Sequence, residues 1–123
     1  MAIRNQVQKK GSPVSSGKAK LSDARLDEIA RLLSVLAESS RLKLLRALMD
    51  HPMTVSELIE ETGMKQGNVS KHLGTLLLGG FVARVREGNF ARYAIADPTV
   101  AALCRLMCDR VESHARRRVR ELA

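Results

Sequence analysis

Residues 54–80 read TVSELIEETGMKQGNVSKHLGTLLLGG, and this stretch decides the fold. Thr54 with Glu57 three residues later is a capping-box pattern that opens a short helix. Gly63 ends that helix because glycine permits a left-handed backbone. A second helix is predicted over residues 66–78, and two glycines stop it. Two short helices joined by such a turn are typical of a helix-turn-helix, whose second helix enters the major groove of DNA.

The segments on either side complete a recognisable order of elements. We predict a helix over about residues 23–37 capped by Ser22, a helix capped by Ser39 or Ser40, strands at 81–86 and 90–96 joined by a turn at 87–89, and a last helix opened by Asp97-Pro98. A hairpin directly after a helix-turn-helix is the arrangement called a wing. The fold class is therefore predicted as mostly α with a β-hairpin wing, a winged helix-turn-helix.

Length and composition limit the choice of function. The chain has 123 residues, is 45% hydrophobic and carries a formal net charge of +8, which suggests an anionic partner. We expect residues 1–20 to be a disordered basic tail and residues 21–121 to form one DNA-binding and dimerisation domain. The tail lacks the apolar run of a signal peptide, and no stretch reaches membrane-spanning length. We therefore expect a soluble cytoplasmic protein with no membrane partner.

The helix over 66–78 has two different faces. Val69, Leu73, Leu76 and Leu77 fall on one side and are expected to pack in the core. The other side is nearly free of acidic charge and carries hydrogen-bonding groups. Gln and Asn can read adenine bidentately, and Lys can contact guanine or phosphate.

Positive charge is concentrated on the same elements. Residues 63–93 contain five basic side chains and one acidic one. This pattern predicts binding to double-stranded DNA. The predicted DNA-binding residues are Gln66, Gly67, Asn68, Ser70, Lys71, His72, Thr75, Arg84, Arg86, Asn89 and Arg92.

Taken together, these segments resemble the ArsR/SmtB family of bacterial winged-helix repressors over about residues 26–113. The resemblance is carried by residues 36–45 (LAESSRLKLL), 55–58 (VSEL), 63–73 (GMKQGNVSKHL), 80–88 (GFVARVREG) and Arg92-Tyr93. It implies a homodimer that pairs through its first and last helices. It also implies a palindromic operator, and repression relieved by an inducer that is often a metal ion.

The sequence departs from the family pattern at its metal sites. One family site uses a Cys-x-Cys pair, where this chain has residues 54–57 without a thiol. Another uses Asp and His ligands on the last helix. Asp97 is present there, but Thr99, Arg110 and Ser113 occupy the later positions and cannot serve as soft ligands. Lys65 also replaces a helix-capping Ser, and Gly67 replaces a common Ser.

Cys104 and Cys108 are the remaining candidates for sensing. A spacing of four residues places both thiols on one face of the last helix. Such a pair can bind a soft metal or metalloid such as arsenite, or respond to oxidants and reactive sulfur. Both residues also lie on the apolar stripe of the helix, where a small residue such as Cys simply packs. The sequence leaves both interpretations open and defines no confident metal site or cofactor.

Three other functions compete with a thiol-sensing, DNA-binding repressor. An enzyme is not expected, because the chain has no glycine-rich phosphate loop, metal-ligand cluster or nucleophile with a base. A protein-interaction module that does not bind DNA remains an alternative, as does a winged-helix regulator without metal or thiol sensing. DNA binding with a steep salt dependence would favour the repressor.

Overall fold

The computed structural model describes residues 21–122. The predicted basic tail, residues 1–20, lies outside the described residues, so the predicted domain boundaries stay a prediction. The described chain divides into two units, residues 21–34 and residues 35–122, and each is described by itself.

The order of elements follows the sequence prediction and adds one short strand. The elements are α1 (Asp23–Leu36), α2 (Ser39–Leu48), β1 (Met53–Thr54), α3 (Val55–Thr62), α4 (Gln66–Leu78), β2 (Val82–Glu87), β3 (Phe90–Ile95) and α5 (Pro98–Leu122). The three strands form one antiparallel sheet in the order β1-β3-β2. The predicted fold class, mostly α with a hairpin wing, is confirmed.

Helix α1 begins where the sequence predicted. The hydroxyl of Ser22 accepts a hydrogen bond from the backbone N–H of Arg25 at 3.2 Å, which is the expected N-cap geometry. Glu28 and Arg31 form an ion pair one turn apart on its surface. The apolar side chains of Leu26, Ile29 and Leu33 are all exposed.

The cap of α2 differs from the prediction. Glu38, rather than Ser39 or Ser40, occupies the N-cap, and its Oε1 accepts from the backbone N–H groups of Ser40 and Arg41 at 2.7 and 3.2 Å. A carboxylate suits this place because it adds a negative charge at the positive end of the helix dipole. Although desolvation opposes it, the backbone hydrogen bonds from Arg41 and Ser40 lower the pKa of Glu38.

The core is built where α2, α3 and α4 pack together. Its most buried side chains are aliphatic: Leu44, Leu45, Leu58, Val69, Leu73 and Leu76. The capping box of α3 is confirmed, with Thr54 N–H donating to Glu57 at 2.9 Å and Glu57 N–H donating to Thr54 at 3.2 Å. Gly63 has φ 73°, the left-handed conformation that its glycine predicted.

The hairpin gains a third strand that the sequence did not predict. Residues Val82 to Glu87 pair with Ile95 to Phe90, and Gly88 turns with φ 61°. On the other edge of β3, Met53 pairs with Tyr93 and Thr54 with Arg92. A two-residue strand shows no alternation that a sequence pattern can detect. The pairing joins the hairpin directly to the start of α3.

Helix α5 begins as predicted but is barely covered. Asp97 Oδ1 accepts from the backbone N–H of Val100 at 3.2 Å, which confirms the predicted cap. Val100 is the one buried residue among the 25 of this helix. Beyond it the stripe residues Met107 and Val111 are exposed in the single chain, as are the apolar side chains of Leu106, Val119 and Leu122. Within residues 21–122, no helix combines the length and apolar character needed to cross a membrane.

Candidate nucleic-acid interface

Helix α4 presents a polar face to solvent while its other side holds it in the core. Gln66, Gly67, Asn68, Ser70 and Lys71 are all exposed, as the sequence predicted. The three core residues of α4 named above are each at most 1% exposed. The outer face is therefore backed by the core and free to meet a ligand.

The two glycines of α4 add no side-chain bulk to its exposed face. A Cβ built at Gly67 or Gly74 would meet nothing within 4 Å, so neither glycine is required by packing inside the chain. At both positions the helix surface is backbone alone. Such a surface allows a close approach to a groove.

The N-terminus of α4 lacks a side-chain cap. Lys65 occupies the N-cap with φ −74° and ψ 151°, and its side chain makes no capping hydrogen bond. This result matches the expectation that Lys65 caps less well than Ser. The first N–H groups of the helix are left for water or for an anion such as a phosphate.

Thr75 holds a less open position than the other residues of the face. Its side chain is half-buried, and its hydroxyl donates to the carbonyl oxygen of Lys71 at 3.3 Å. Part of its hydrogen-bonding capacity is therefore used inside the helix.

His72 does not lie where the sequence placed it. It was expected to flank the DNA-reading face, but the residue is 6% exposed and points inward. Its Nδ1 lies 3.2 Å from Nη1 of Arg41 on α2. It is buried because residue 72 lies one helical turn from the core positions 69 and 76, on the same side of α4. The predicted DNA contact of His72 stays a prediction.

Arg92, which the sequence predicts to contact DNA, bonds to two carboxylates of its own chain. Its Nε donates to Glu87 at 2.8 Å, and its Nη1 donates to Glu57 at 3.0 Å. The bond to Glu87 and the charge of Glu57 raise the pKa of Arg92. The hydrogen bond from the Thr54 backbone and the nearby Arg92 lower the pKa of Glu57. Arg92 therefore ties the wing to the start of α3.

The other wing residues remain open. Arg84, Arg86 and Asn89 are exposed, and the two arginines lie two residues apart on β2, hence on the same side of the strand. Within the described part of the chain, neither arginine has a carboxylate within 4 Å. Their charges are available to phosphates.

The two cysteines lie one helical turn apart on α5. Cys104 is half-buried and Cys108 is exposed. Burial, and secondarily the neighbouring Cys108, raises the pKa of the Cys104 thiol. Among residues 21–122, no group of three His, Cys, Asp or Glu side chains is placed to hold a metal ion. One copy of the described chain thus offers two thiols at most.

Three functional contacts were beyond the reach of the sequence analysis. Glu38 and Arg41 lie against His72, and Glu57 bonds to Arg92 of the wing. Glu57 was detectable as a helix cap, but its second partner is 35 residues away. Long-range pairs of this kind carry no periodic signal.

Comparison with known proteins gives a consistent result. The family described as bacterial regulatory protein, arsR family, matches residues 38–84 of this chain. A probable mercury resistance operon repressor of Streptomyces lividans is 40% identical over 80 residues, covering 65% of this chain and 64% of the relative. The chain thus spans just under two thirds of the length of that relative.

Two solved structures are similar over most of their length. One is a homodimeric winged helix-turn-helix DNA-binding domain of a possible ArsR-family regulator from Mycobacterium bovis, with 35% identity and a TM-score of 0.70, covering 76% of this chain and 90% of that one. The other is the AntR antimony-specific transcriptional repressor, with 32% identity and a TM-score of 0.70, covering 78% of this chain and 87% of that one.

Proposed function

Because this chain belongs to the arsR family of bacterial regulatory proteins, we propose that it is a repressor that binds a two-fold symmetric operator as a homodimer. Each copy places α4 in a major groove and its hairpin against the neighbouring backbone. Arg84 and Arg86 contact phosphates, which position the protein without reading sequence. Gln66, Asn68 and Lys71 contact base edges.

The observation that carries this proposal is the contrast between the two faces of α4. Its inner side buries Val69, His72, Leu73 and Leu76, while its outer side exposes Gln66, Gly67, Asn68, Ser70 and Lys71, none of which is acidic. An ordinary surface helix has no need of two glycines on its outer face, since each weakens the helix by about 1 kcal/mol relative to alanine. Close approach to DNA gives these residues a use.

The exposed apolar stripe of α5 supports the homodimer. Side chains such as Met107 and Val111 recur at helical spacing and are more than half exposed in the single chain. A second copy covers such a stripe and gains the hydrophobic free energy of its burial. The similar domain from M. bovis is homodimeric.

We propose that the signal is a soft metal ion or metalloid, or another thiol-reactive species, that reacts with Cys104 and Cys108. Thiolates are the ligands that such ions prefer. Two similar proteins are named for mercury and antimony. Because one copy supplies two thiols, an ion that needs three ligands obtains the third ligand from the partner copy or from solvent.

A route from the thiols to the DNA-binding face follows from the packing. Helix α5 packs against β3, and β3 is the central strand between β1 and β2. Strand β1 runs directly into α3, and Arg92 of β3 bonds to Glu57 of α3. A shift of α5 on ligand binding therefore reaches both the wing and the helix-turn-helix.

The DNA-binding part is tested by fluorescence anisotropy with labelled duplex from upstream of the protein's own gene, over a series of salt concentrations. We expect affinity to fall steeply with salt, and Lys71→Ala to weaken binding and relax the base preference. Arg117→Ala, which removes the same charge at the far end of α5, is the matched control. Absence of duplex binding at low salt would favour the protein-interaction module instead.

The sensing part is tested on the same complex. Mercuric ion, antimonite, arsenite, zinc and peroxide are added separately to reduced wild-type protein and to the Cys104→Ser/Cys108→Ser variant. Release of DNA by a thiol-reactive agent, absent in the variant, supports sensing. Equal release from both proteins, or from neither, means that the cysteines only pack.

A further inference from the structure

One polar side chain lies buried directly beneath the proposed reading helix. Among residues 21–122, His72 is the single polar or charged residue that is buried. It sits on the inner side of α4 beside aliphatic core residues of the same helix, at a position that a leucine could also fill. A buried polar group is costly unless it is hydrogen-bonded, so its partners matter.

The partners of His72 indicate which of its two ring nitrogens accepts a hydrogen bond. Nη1 of Arg41 lies 3.2 Å from Nδ1 of the imidazole. A guanidinium only donates, so Nδ1 accepts and the ring proton of the neutral imidazole lies on Nε2. That nitrogen faces Oε2 of Glu38 at 4.0 Å. The ring is thus held between a cation on one side and a carboxylate on the other.

Both partners are themselves fixed to the backbone. Nε of Arg41 donates to the carbonyl oxygen of Val35, and Glu38 caps α2 through two backbone N–H groups. We refer to Glu38, Arg41 and His72 as the His72 cluster. It connects the start of α2, and the carbonyl of residue 35, to the middle of α4.

The His72 cluster adds a directional contact to the aliphatic packing of α4. Aliphatic packing is non-directional and leaves a helix some freedom to rotate about its axis. The N-terminus of α4 has no side-chain cap that would fix its phase. A hydrogen bond has a preferred direction, so a single bond from the middle of the helix restricts that rotation.

A small rotation of α4 about its axis has a large effect on base recognition. At about 5 Å from the helix axis, a rotation of roughly 20° moves a side-chain atom by about 2 Å. A bidentate contact to a base edge tolerates only a few tenths of that distance. Phosphate contacts made by long, flexible basic side chains are less sensitive.

We propose that Arg41 and His72 are positioning residues that set the rotation of α4, and that discrimination between DNA sequences depends on their bond. The proposal rests on the function proposed above. It predicts that loss of the bond lowers the preference for the operator while binding to unrelated duplex is kept.

The test compares two variants at one position. His72→Asn keeps an acceptor near the place of Nδ1, whereas His72→Leu fills the site with an apolar side chain and removes the bond. The probes are a duplex selected by the wild-type protein from a random library and a scrambled duplex of equal length. We expect His72→Leu to lower the affinity ratio by about tenfold, the value of one good base contact. His72→Asn should restore most of that ratio, and the affinity for scrambled duplex and the salt slope should not change.

Arg41→Lys provides a second variant if His72→Leu fails to fold. Lysine cannot hold the carbonyl of Val35 and the imidazole together, so the ratio should fall here as well. In the free protein, amide hydrogen exchange over residues 66–78 should rise in these variants more than that over α3.

The outcomes separate the two proposals. Folded variants that keep the wild-type ratio and wild-type exchange over α4 would overturn the positioning role, since His72 would then be a core filler. A wild-type protein that selects no duplex contradicts the proposed function instead, and the exchange measurement still decides whether the cluster holds α4.

Discussion

The helix-turn-helix and the last helix are built from similar residues but reach opposite states. Helices α2, α3 and α4 bury most of their leucines against one another within one chain. Helix α5 carries an equally regular apolar stripe over 25 residues, about 37 Å, yet buries only Val100. The first region is complete in a single copy, and the second is not.

This difference shows what an apolar stripe does and does not specify. The periodicity states which face of a helix avoids water, but the covering surface is supplied by whatever lies opposite. For α4 that surface is α2 and α3. For α5 beyond its first turns, the same chain supplies little apart from β3.

The largest effect is expected from placing a charge in the stripe of α5. Val111, at 65% exposure, is tolerant of Glu in a single chain, but burial of an unpaired carboxylate between two copies is costly. We expect Val111→Glu to give a monomer and to weaken operator binding by about 100-fold or more, because two linked half-site contacts become one. Light scattering and anisotropy measure both.

Ser113→Glu is the control for that experiment. It adds the same charge at an exposed position on the opposite side of α5. A dimer that survives Val111→Glu would break the comparison, because α5 would then need no partner.

The next effect tests whether the helix-turn-helix is complete in one chain. Leu73 is 1% exposed and Leu78, on the same helix, is 92% exposed. Leu73→Ala should lower the free energy of unfolding by about 2–5 kcal/mol, through lost burial and a residual cavity. Leu78→Ala should change it by less than about 0.5 kcal/mol. Urea denaturation distinguishes them, and equal costs would show that a partner covers Leu78.

A smaller effect sharpens the comparison inside the wing. Arg86→Ala should reduce the salt slope of DNA binding by about one, since that arginine has no carboxylate partner. Arg92→Ala should leave the slope nearly unchanged and weaken binding to all duplexes, because it releases the wing from Glu57 and Glu87. A reduced slope in Arg92→Ala would mean that Arg92 leaves its carboxylates to bind phosphate.

The carboxylate of Glu57, which accepts from the Thr54 backbone and from Arg92, gives a pH dependence of definite sign. The pKa of Glu57 is lowered in the folded protein, so its contribution to stability is present above the usual carboxyl pKa and is lost as the pH falls through the lowered value. Glu57→Gln should remove this part of the pH dependence of the free energy of unfolding, which urea denaturation over a pH series measures.

The smallest effect concerns the reactivity of Cys104, which is half-buried near the start of α5. The pKa of Cys104 is raised, so a smaller fraction is thiolate at a given pH, and alkylation should be slower than in the unfolded protein. Mass spectrometry of iodoacetamide-treated protein over a pH series measures the rate. Cys108→Ser should move the profile part of the way back. Identical profiles for folded and unfolded protein would show that Cys104 is not covered.

Much of the fold could be predicted because its signals are local. The capping box at Thr54, the left-handed Gly63 and the cap at Asp97 each depend on residues within four positions. The same holds for the exposed face of α4, where residues 66–71 follow from helical periodicity. Strand β1 was missed because its only evidence is a partner about 40 residues away in the chain.

Two intramolecular contacts that the sequence did not predict share one physical cause. His72 and Arg92 were assigned to DNA because both are polar residues in a basic, polar segment. Their actual partners, Arg41 and Glu57, lie 31 and 35 residues away in the sequence. Polarity indicates only that a side chain needs a hydrogen-bonding partner, and it does not say whether water, DNA or the protein provides it.

The sequence by itself determined the order of the helices and the hairpin, the caps of α1, α3 and α5, and the two faces of the reading helix, because backbone dihedrals and helical periodicity act over a few residues. Only the tertiary structure decided which polar side chains are used inside the protein. It placed His72 against Arg41, engaged Arg92 with two carboxylates and left Arg84 and Arg86 open. The reason is that hydrogen bonds and charges act across short distances in space, whatever the distance along the chain.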